Sequence, residues 1–411
     1  MKIKNIMEKQ QEKVIDEILA RGVSEVIDCE NLRKRLLSGE KLRIKFGTDP
    51  TSPNIHLGRA VPLLKLRDLQ QLGHQIVFLI GDFTGVIGDT SDKESERPML
   101  EREVVEKNME TYFEQAGKIL DMSKVEVVKN SDWLGKLTYN EISEQADIFS
   151  LAEFIARDNI RKRLEKGTRI SLRELLYPLM QGYDSVVLKA DLELGGTDQR
   201  FNLLSGREMQ KHYKQKPQDV LMTNLIEGTD GRKMSSSWGN TINLTEDANS
   251  MFGKVMSMGD ELIGKYFVHC TRIPMEEIVQ IESEMKEEKL NPRDAKLRLA
   301  GEIVKIYHGE ELARSAREYF INTFSKKEIP TDIAEFVVEG EMKLVEVLVK
   351  SKNASSMGDA RRKIEQGGVS LAGQAVDDEK LLDSQMLITK EFDGKVMKVG
   401  KMGFVKIIFP K

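Results

Sequence analysis

Residues 42–82 read LRIKFGTDPTSPNIHLGRAVPLLKLRDLQQLGHQIVFLIGD, and this stretch decides the fold. An apolar segment at 42–47 is followed by a Pro-rich loop at 49–54. Residues 56–72 then carry apolar side chains at helical spacing up to Gly73, and 75–81 form a second apolar segment. Strand, loop, helix and strand in this order make a βαβ unit, which predicts a parallel sheet with right-handed crossovers.

Polar and Gly-rich loops follow the strands of this predicted sheet. The loops at 47–59 and 81–89 come directly after the first two strands, and a third strand at 191–194 leads into Gly-Gly-Thr-Asp-Gln at 195–199. Ligands of parallel α/β sheets bind beyond the carboxyl ends of the strands. The sequence therefore predicts that the three loops meet at one edge of the sheet.

The rest of the chain predicts further domains. Residues 98–175 are charged and helical in pattern, which indicates an insertion within a sheet domain spanning 1–246. Residues 247–324 read as helices without strands, 325–340 read as a linker, and 341–411 show a small α/β pattern that ends in strands. At 411 residues, the chain is long enough for two or three such domains.

Composition indicates an ordinary soluble protein, with 40% hydrophobic and 32% charged residues. The longest apolar run, at 76–80, is too short to span a bilayer, and residues 1–20 lack the apolar core of a signal peptide. The two cysteines, Cys29 and Cys270, form no CxxC pair, which argues against disulfides and zinc. We expect a cytoplasmic protein with no membrane segment and no structural metal.

Charge is unevenly distributed. The net formal charge is −4, yet residues 341–411 contain 13 Lys and Arg against 10 Asp and Glu. A basic C-terminal segment on an acidic body is typical of a module that contacts phosphates, although chance asymmetry explains it equally well.

Two loops have the composition of phosphate sites. The loop at 47–59 precedes a helix, whose N-terminal N–H groups attract phosphates, and Thr51 and His56 add donors. Residues 230–237, DGRKMSSS, combine one glycine, two cations and three hydroxyls, as a polyphosphate-binding loop requires. Taken separately, an ordinary helix start and a solvated turn explain these loops as well.

A third polar pattern lies in an apolar segment at 176–187. Tyr177, Gln181 and Asp184 are spaced to share one helical face. Pro178 is expected in the first helical turn, with Tyr177 just before the helix. A buried carboxylate needs a partner, and a ligand hydroxyl or amine is such a partner. An internally satisfied polar cluster is the open alternative.

Together these motifs resemble the class I aminoacyl-tRNA synthetases. HLGR at 56–59 is similar to the HIGH motif of that family, and KMSSS at 233–237 is similar to its KMSKS motif. The surrounding sequence segments resemble the bacterial tyrosine-specific branch of the family. These segments are GTDPTSPNIHLGR, GDFTGVIGD, KNSDW, YPLMQGYDSVVL and GGTDQRFN. The similarity runs with few gaps from about residue 41 to residue 251.

The resemblance implies a Rossmann-like catalytic domain and a set of site residues. Residues implied to be catalytic are Thr51, His56, Lys93, Arg97 and Lys233. Those implied to bind ATP are Gly47, Asp49, Gly58, Arg59, Gly196, Asp198, Met234, Ser235 and Ser236. Those implied to bind tyrosine are Asp89, Asn130, Tyr177, Gln181, Asp184 and Gln199, with Asp184 accepting the phenol hydrogen bond.

The resemblance also implies the reaction and the partners. Tyrosine would be activated with ATP and Mg²⁺ and then transferred to the 3′ end of its tRNA. Residues 341–411 resemble an S4-type RNA-binding module, in which Arg361, Arg362 and Lys363 would contact RNA phosphates. The helical segment 247–324 would lie on the anticodon side of the tRNA, and the active form would be a homodimer.

Several positions depart from the family pattern. Arg59 replaces the last His of HIGH, and Ser236 replaces the second Lys of KMSKS, for which Arg232 is a possible substitute. Lys45 stands where many relatives have a Tyr beside the substrate hydroxyl, and Thr48 replaces a residue that is often apolar. These departures leave two alternatives open: an RNA-binding protein with an inactive catalytic domain, and a ligase with an acceptor other than tRNA.

Overall fold

The computed structural model describes residues 2–89, 99–325, 333–372, 383–400 and 403–410. The chain divides into two compact units, Met1–Glu311 and Leu312–Lys411.

A six-stranded sheet forms the centre of the first unit. Its strands are β1 (Val23–Ile27), β2 (Arg43–Thr48), β3 (Gln75–Ile80), β4 (Val125–Lys129), β5 (Leu192–Gly196) and β6 (Asp219–Thr223). The strand order is β1-β6-β5-β2-β3-β4, and all neighbours are parallel except β1, which runs antiparallel to β6. The predicted parallel sheet is confirmed, with one antiparallel edge strand added.

Helices surround this sheet and continue beyond it. Those up to the last strand are α1 (Lys2–Ala20), α2 (Cys29–Leu37), α3 (Leu57–Gln71), α4 (Asp82–Ile87), α5 (Arg102–Glu110), α6 (Tyr112–Gly117), α7 (Ser131–Leu134), α8 (Tyr139–Asp147), α9 (Leu151–Ile155), α10 (Asp158–Glu165), α11 (Leu172–Leu188) and α12 (Arg200–His212). Five more follow: α13 (Ala248–Ser257), α14 (Ile263–Cys270), α15 (Met275–Lys286), α16 (Pro292–His308) and α17 (Glu310–Phe320). Residues 247–324, all of them described, contain no strand, as predicted.

The β2–α3–β3 unit matches its predicted bounds within two residues. Ile44, Phe78 and Ile80 are buried in adjacent parallel strands, since both faces of such a sheet are covered. Helix α3 buries apolar side chains along its length, including Leu57, Leu64 and Leu69, and it is followed by Gly73, whose φ of 91° suits glycine.

Two local predictions need correction. Residues 98–175 are not wholly helical, because β4 lies among them and forms an edge of the central sheet. The alternation of valine with charged residues in VEVVK is typical of such an edge strand. Pro178 does not open a helix: α11 begins at Leu172, after a capping box made by Ser171 and Glu174, so Tyr177 lies inside the helix.

The second unit is a small α/β structure. Its described elements after α17 are β7 (Glu335–Val337), β8 (Met342–Lys343), α18 (Leu344–Lys350), α19 (Met357–Glu365), β9 (Val369–Ala372), β10 (Leu387–Ile388), β11 (Val396–Val399) and β12 (Gly403–Ile408). One sheet has the order β7-β12-β11-β9, and β8 pairs with β10. Residues 335–337, expected in a linker, pair instead with β12.

Among the described residues, no helix combines the length and the apolar character needed to cross a membrane.

Candidate active site

One cavity of about 980 Å³ opens at the carboxyl ends of β2, β3 and β5. The three loops predicted to meet there do so. Every residue implied to bind ATP or tyrosine, or to be catalytic, lines this cavity wherever the structure describes it. Lys93 and Arg97 lie outside the described residues.

Asp184 lies at the closed end of the cavity, 2% exposed. Its carboxylate accepts a hydrogen bond from Trp133 Nε1 at 2.7 Å and from Asn130 Nδ2 at 3.3 Å. Burial raises the pKa of Asp184 to about 7, although Lys45 and these two donors act in the opposite direction. A ligand hydroxyl would add a donor to this desolvated carboxylate.

Asn130 is fully buried and connects Asp184 to helix α4. Its oxygen accepts from the Phe83 backbone N–H at 3.0 Å, and its Nδ2 donates to Thr84 Oγ1 at 2.9 Å as well as to Asp184. Since its amide is engaged on both sides, the structure places Asn130 as a support that orients Asp184.

Tyr177 connects helix α11 to the loop after β2. Its hydroxyl donates to Asp49 Oδ2 at 2.8 Å, while Asp49 Oδ1 accepts from Thr84 Oγ1 at 2.8 Å. Gly81 packs against this pair so closely that a Cβ there would lie 2.0 Å from Asp49 Oδ1. Burial and the nearby carboxylates raise the pKa of Tyr177 well above its usual value, so the phenol stays protonated and keeps its oxygen lone pairs available.

Asp89 and Gln199 also line the cavity and contact each other. Gln199 Nε2 donates to Asp89 Oδ2 at 2.5 Å, and Gln199 Oε1 accepts from Asn202 Nδ2 at 3.1 Å. Gln181 lies on α11 between Tyr177 and Asp184, and all three side chains line the cavity. The single helical face predicted for them is confirmed.

We call the part of the cavity around His56, Arg59 and Lys233 its open end, because Lys233 remains partly exposed. His56 precedes α3, and its Nδ1 is buried without a hydrogen-bond partner among the described residues. Burial, with Arg59 and Lys233 nearby, lowers the pKa of His56 to about 3. The imidazole is therefore neutral at neutral pH, and Gly58, whose Cβ would lie 3.1 Å from His56 Nδ1, leaves room for its ring.

The KMSSS segment lies against the helix that follows HLGR. Met234 is buried, and its sulfur accepts from the Gly58 N–H at 3.3 Å. Lys233 Nζ lies 3.0 Å from Asp198 Oδ2, and both side chains remain partly exposed. Ser235 donates its N–H to Asn240, and Ser236 opens a short 3-10 helix, Ser236–Trp238, at the rim.

Arg59 points across the same rim. Its guanidinium donates to Tyr112 Oη at 2.6 Å, to Ser52 Oγ at 3.3 Å and to Thr51 Oγ1 at 3.4 Å. This places a cation beside Thr51 and His56. Arg232, by contrast, pairs with Asp230, and its Cζ lies 4.8 Å from the centre of the Trp238 ring. Arg232 therefore does not take the place of the second lysine of KMSKS, which is Ser236 in this chain.

The three cations that the resemblance implies contact RNA share α19. Arg361 and Arg362 are exposed, and Arg362 pairs weakly with Asp359 at 3.5 Å. Lys363 Nζ donates to the Asn353 carbonyl at 2.8 Å and contacts Asp359 at 3.2 Å. Two of these three charges therefore extend into solvent.

Sequence reasoning did not single out three residues of the closed end, Trp133, Thr84 and Glu193. Trp133 follows Asn130 within KNSDW, so its position beside the site was the available signal. Thr84 lies within GDFTGVIGD, which marked its loop but not this residue, and Glu193 gave no signal because it acts through partners on other elements.

A parallel sheet with HLGR and KMSSS at the mouth of one cavity defines a class I aminoacyl-tRNA synthetase. Residues 36–325 match the family model described as "tRNA synthetases class I (W and Y)". The chain belongs to this family.

Similar proteins extend the match to nearly the whole chain. It is 46% identical to a tyrosine–tRNA ligase of Carboxydothermus hydrogenoformans, over 96% of this chain and 98% of that protein. It is also 46% identical to the corresponding enzyme of Thermotoga maritima, over 95% and 96%. The fold is similar to a tyrosyl-tRNA synthetase of Archaeoglobus fulgidus solved with L-tyrosine, with 23% identity, a TM-score of 0.59, and 75% of this chain and 99% of that chain covered.

Proposed function

We propose that this chain is a tyrosine–tRNA ligase, which forms tyrosyl-adenylate from tyrosine and ATP and then transfers tyrosine to the 3′ end of its tRNA. The observation that carries the proposal is the single cavity that holds Asp184 at one end and His56 with Lys233 at the other. The 46% identity to tyrosine–tRNA ligases over nearly the whole length supports it.

Tyrosine would lie with its phenol at Asp184. In its ionised form the carboxylate accepts from Trp133 and Asn130 and has capacity for the phenol hydrogen. Phenylalanine would leave that buried acceptor without its third donor, which is the physical basis for discrimination. At the other end of the amino acid, the oxygens of Tyr177, Gln181 and Asp89 would accept from the α-ammonium.

ATP would lie across the open end. Gly47, Asp49, Gly58, Gly196 and Asp198 would form the wall for its base and ribose, with Met234 beneath the loop. Thr51, His56, Arg59, Lys233, Ser235 and Ser236 would face its phosphates, together with Lys93 and Arg97. Mg²⁺ bound to ATP would neutralise part of the phosphate charge.

The reaction needs alignment and charge stabilisation. The tyrosine carboxylate attacks the α-phosphate, and pyrophosphate leaves from the opposite side. Negative charge then develops on the phosphate oxygens, where the Lys233 ammonium, the Arg59 guanidinium and the neutral His56 ring are available as donors. Relative to the HIGH and KMSKS motifs, this chain gains a cation at Arg59 and loses one at Ser236, both at the same rim of the cavity.

The charging step would use the second unit. Arg361, Arg362 and Lys363 on α19 would hold tRNA phosphates, as expected for an S4-like domain at 341–411. Residues 247–324 would form the anticodon-side domain. Such a function places the protein in the cytoplasm with the translation machinery.

The active form would be a homodimer. Large apolar side chains are exposed within the inserted segment, including Tyr139 at 86%, Leu151 at 61% and Leu172 at 78%. A protein–protein interface would cover exposed apolar side chains of this kind, and a second copy is the occupant we propose. Sedimentation velocity of wild type and Leu172→Glu tests it; a monomeric wild type would contradict it.

The decisive experiment is ATP–pyrophosphate exchange with each of the twenty amino acids. Exchange that depends on tyrosine is the expected result. Exchange with no amino acid would favour the RNA-binding alternative, and exchange without tRNA-dependent release of AMP would favour another acceptor.

A further inference from the structure

A buried ion pair lies at the closed end of the cavity. Lys45 and Glu193 are each 1% exposed, and Lys45 Nζ lies 2.9 Å from Glu193 Oε1. They are register partners on the adjacent strands β2 and β5, and both line the cavity. Burying two charges is costly unless further hydrogen bonds satisfy them. The hydrogen-bond partners of this pair therefore show which residues it positions.

Those partners converge on helix α11. Lys45 Nζ donates to the backbone carbonyl of Gln181 and to Ser185 Oγ, each at 2.8 Å. Glu193 accepts from Gln181 Nε2 at 3.1 Å and from Ser185 Oγ at 3.0 Å, and also from Gln218 Nε2. The pair therefore contacts Gln181 through both its main chain and its side chain.

The chemistry of Glu193 fixes which way the Gln181 amide points. An ionised carboxylate only accepts hydrogen bonds, so it must face the NH₂ group of the amide and not its oxygen. A rotated amide would bring two acceptors together inside a buried site. The Gln181 oxygen is consequently left on the side of the amide away from Glu193, in a residue that lines the cavity.

We propose that Lys45 and Glu193 are positioning residues that hold the Gln181 amide with its oxygen presented to the α-ammonium of the substrate. The inference rests on the proposed function, since it assigns the ammonium end of tyrosine to Gln181. An oxygen held in place accepts from a cation, whereas an amide free to rotate presents its NH₂ group to the same cation part of the time.

Glu193→Gln tests this proposal, because it keeps the shape and removes the requirement for an acceptor-only partner. We expect the Kd of L-tyrosine, measured by calorimetry, to rise about 10-fold, as when one charge-assisted hydrogen bond is no longer fixed. The affinity of 3-(4-hydroxyphenyl)propanoate, which lacks the amino group, should stay within about twofold of its wild-type value.

A double-mutant cycle with Gln181→Ala separates positioning from general damage. In the Gln181→Ala background, Glu193→Gln should add almost nothing to the Kd of tyrosine. Independent effects of the two substitutions, or an unchanged Kd in Glu193→Gln, would overturn the inference. Where Glu193→Gln fails to fold, the neutral pair Lys45→Gln/Glu193→Gln replaces it in the same cycle.

The wild-type protein distinguishes the two levels of the proposal. Wild type that does not bind tyrosine refutes the proposed function. A second outcome would refute only the positioning role. In that outcome the wild type binds tyrosine, and Glu193→Gln raises the Kd of tyrosine and the Kd of the amine-free analogue equally.

Discussion

The two ends of the cavity are built on opposite principles. At the closed end, the side chains of Asp184, Asn130 and Glu193 are at most 2% exposed. Before any substrate binds, Asn130 donates a hydrogen bond to Asp184, and Glu193 accepts one from Gln181. At the open end, Lys233 and its partner Asp198 remain partly exposed to water. In the proposed reaction, selection of the amino acid would depend on these preorganised groups, while the chemical step would use the more exposed cations near the developing charge.

The largest effect is expected at the open end. Lys233→Ala should lower kcat for tyrosine-dependent pyrophosphate exchange by roughly 10²–10³, because it removes a cation that would face the transferring phosphate in the proposed reaction. The Kd of tyrosine should stay unchanged, since the closed end is intact. Arg232→Ala is the matched control: its side chain pairs with Asp230, and its kcat should remain close to wild type. An equal loss in both variants would contradict a specific role for Lys233.

The next effect concerns selection at the closed end. Asp184→Ala should reduce the ratio of kcat/KM for tyrosine over phenylalanine by about 100-fold, as a hydrogen bond to a charged group contributes roughly 1.5–3 kcal/mol. Competitive adenylate formation with the two amino acids measures this ratio. Asp132→Ala, an exposed carboxylate on the neighbouring α7, serves as control. Unchanged discrimination in Asp184→Ala would refute the phenol contact.

Acidity should act on the closed end alone. The pKa of Asp184 is raised to about 7, so the carboxylate is ionised above that pH and becomes protonated below it. We expect kcat/KM for tyrosine to be about 10-fold lower at pH 6 than at pH 8, because kcat/KM reports the ionisation of the free enzyme. The value of kcat/KM for phenylalanine should fall less over the same range. Asp184→Asn should abolish the difference between the two amino acids' pH profiles; a profile that persists in this variant must come from another group.

The smallest effect is expected in the second unit. The double variant Arg361→Ala/Arg362→Ala should raise the KM for tRNA by up to about 10-fold, because two phosphate contacts are lost. The binding of tRNA should also become less sensitive to salt. Pyrophosphate exchange should be unaffected. Glu365→Ala, on the same helix, is a control that leaves the cations in place. An equal fall in exchange would show that α19 is not a separate RNA contact.

The sequence predicted what short-range patterns determine. The βαβ unit, its loops and the shared face of Tyr177, Gln181 and Asp184 were confirmed, because apolar periodicity and strand-end loops are local signals. Pro178 misled the prediction of the helix start, since the capping box at Ser171 and Glu174 outweighed it. Strand β4 was missed because its alternation covers only five residues, VEVVK, within a long charged segment.

Residues that act through distant partners could not be predicted. Glu193 reads as one charged position in a strand, and its role depends on Lys45, which lies far away in the chain, and on Gln181, which lies on a different element. The contact of Asp49 with Tyr177 is equally non-local. The individual roles of the site residues stay predictions that the variants above address.

Gly81 has a consequence for natural variation in this gene. Its φ of −80° is open to any amino acid, yet even a methyl group there would displace Asp49 from Tyr177 and Thr84. An alanine at this position would force Asp49 or Thr84 to shift, although the backbone itself allows one. Selection against such a variant would follow from the lost contacts of Asp49 with Tyr177 and Thr84.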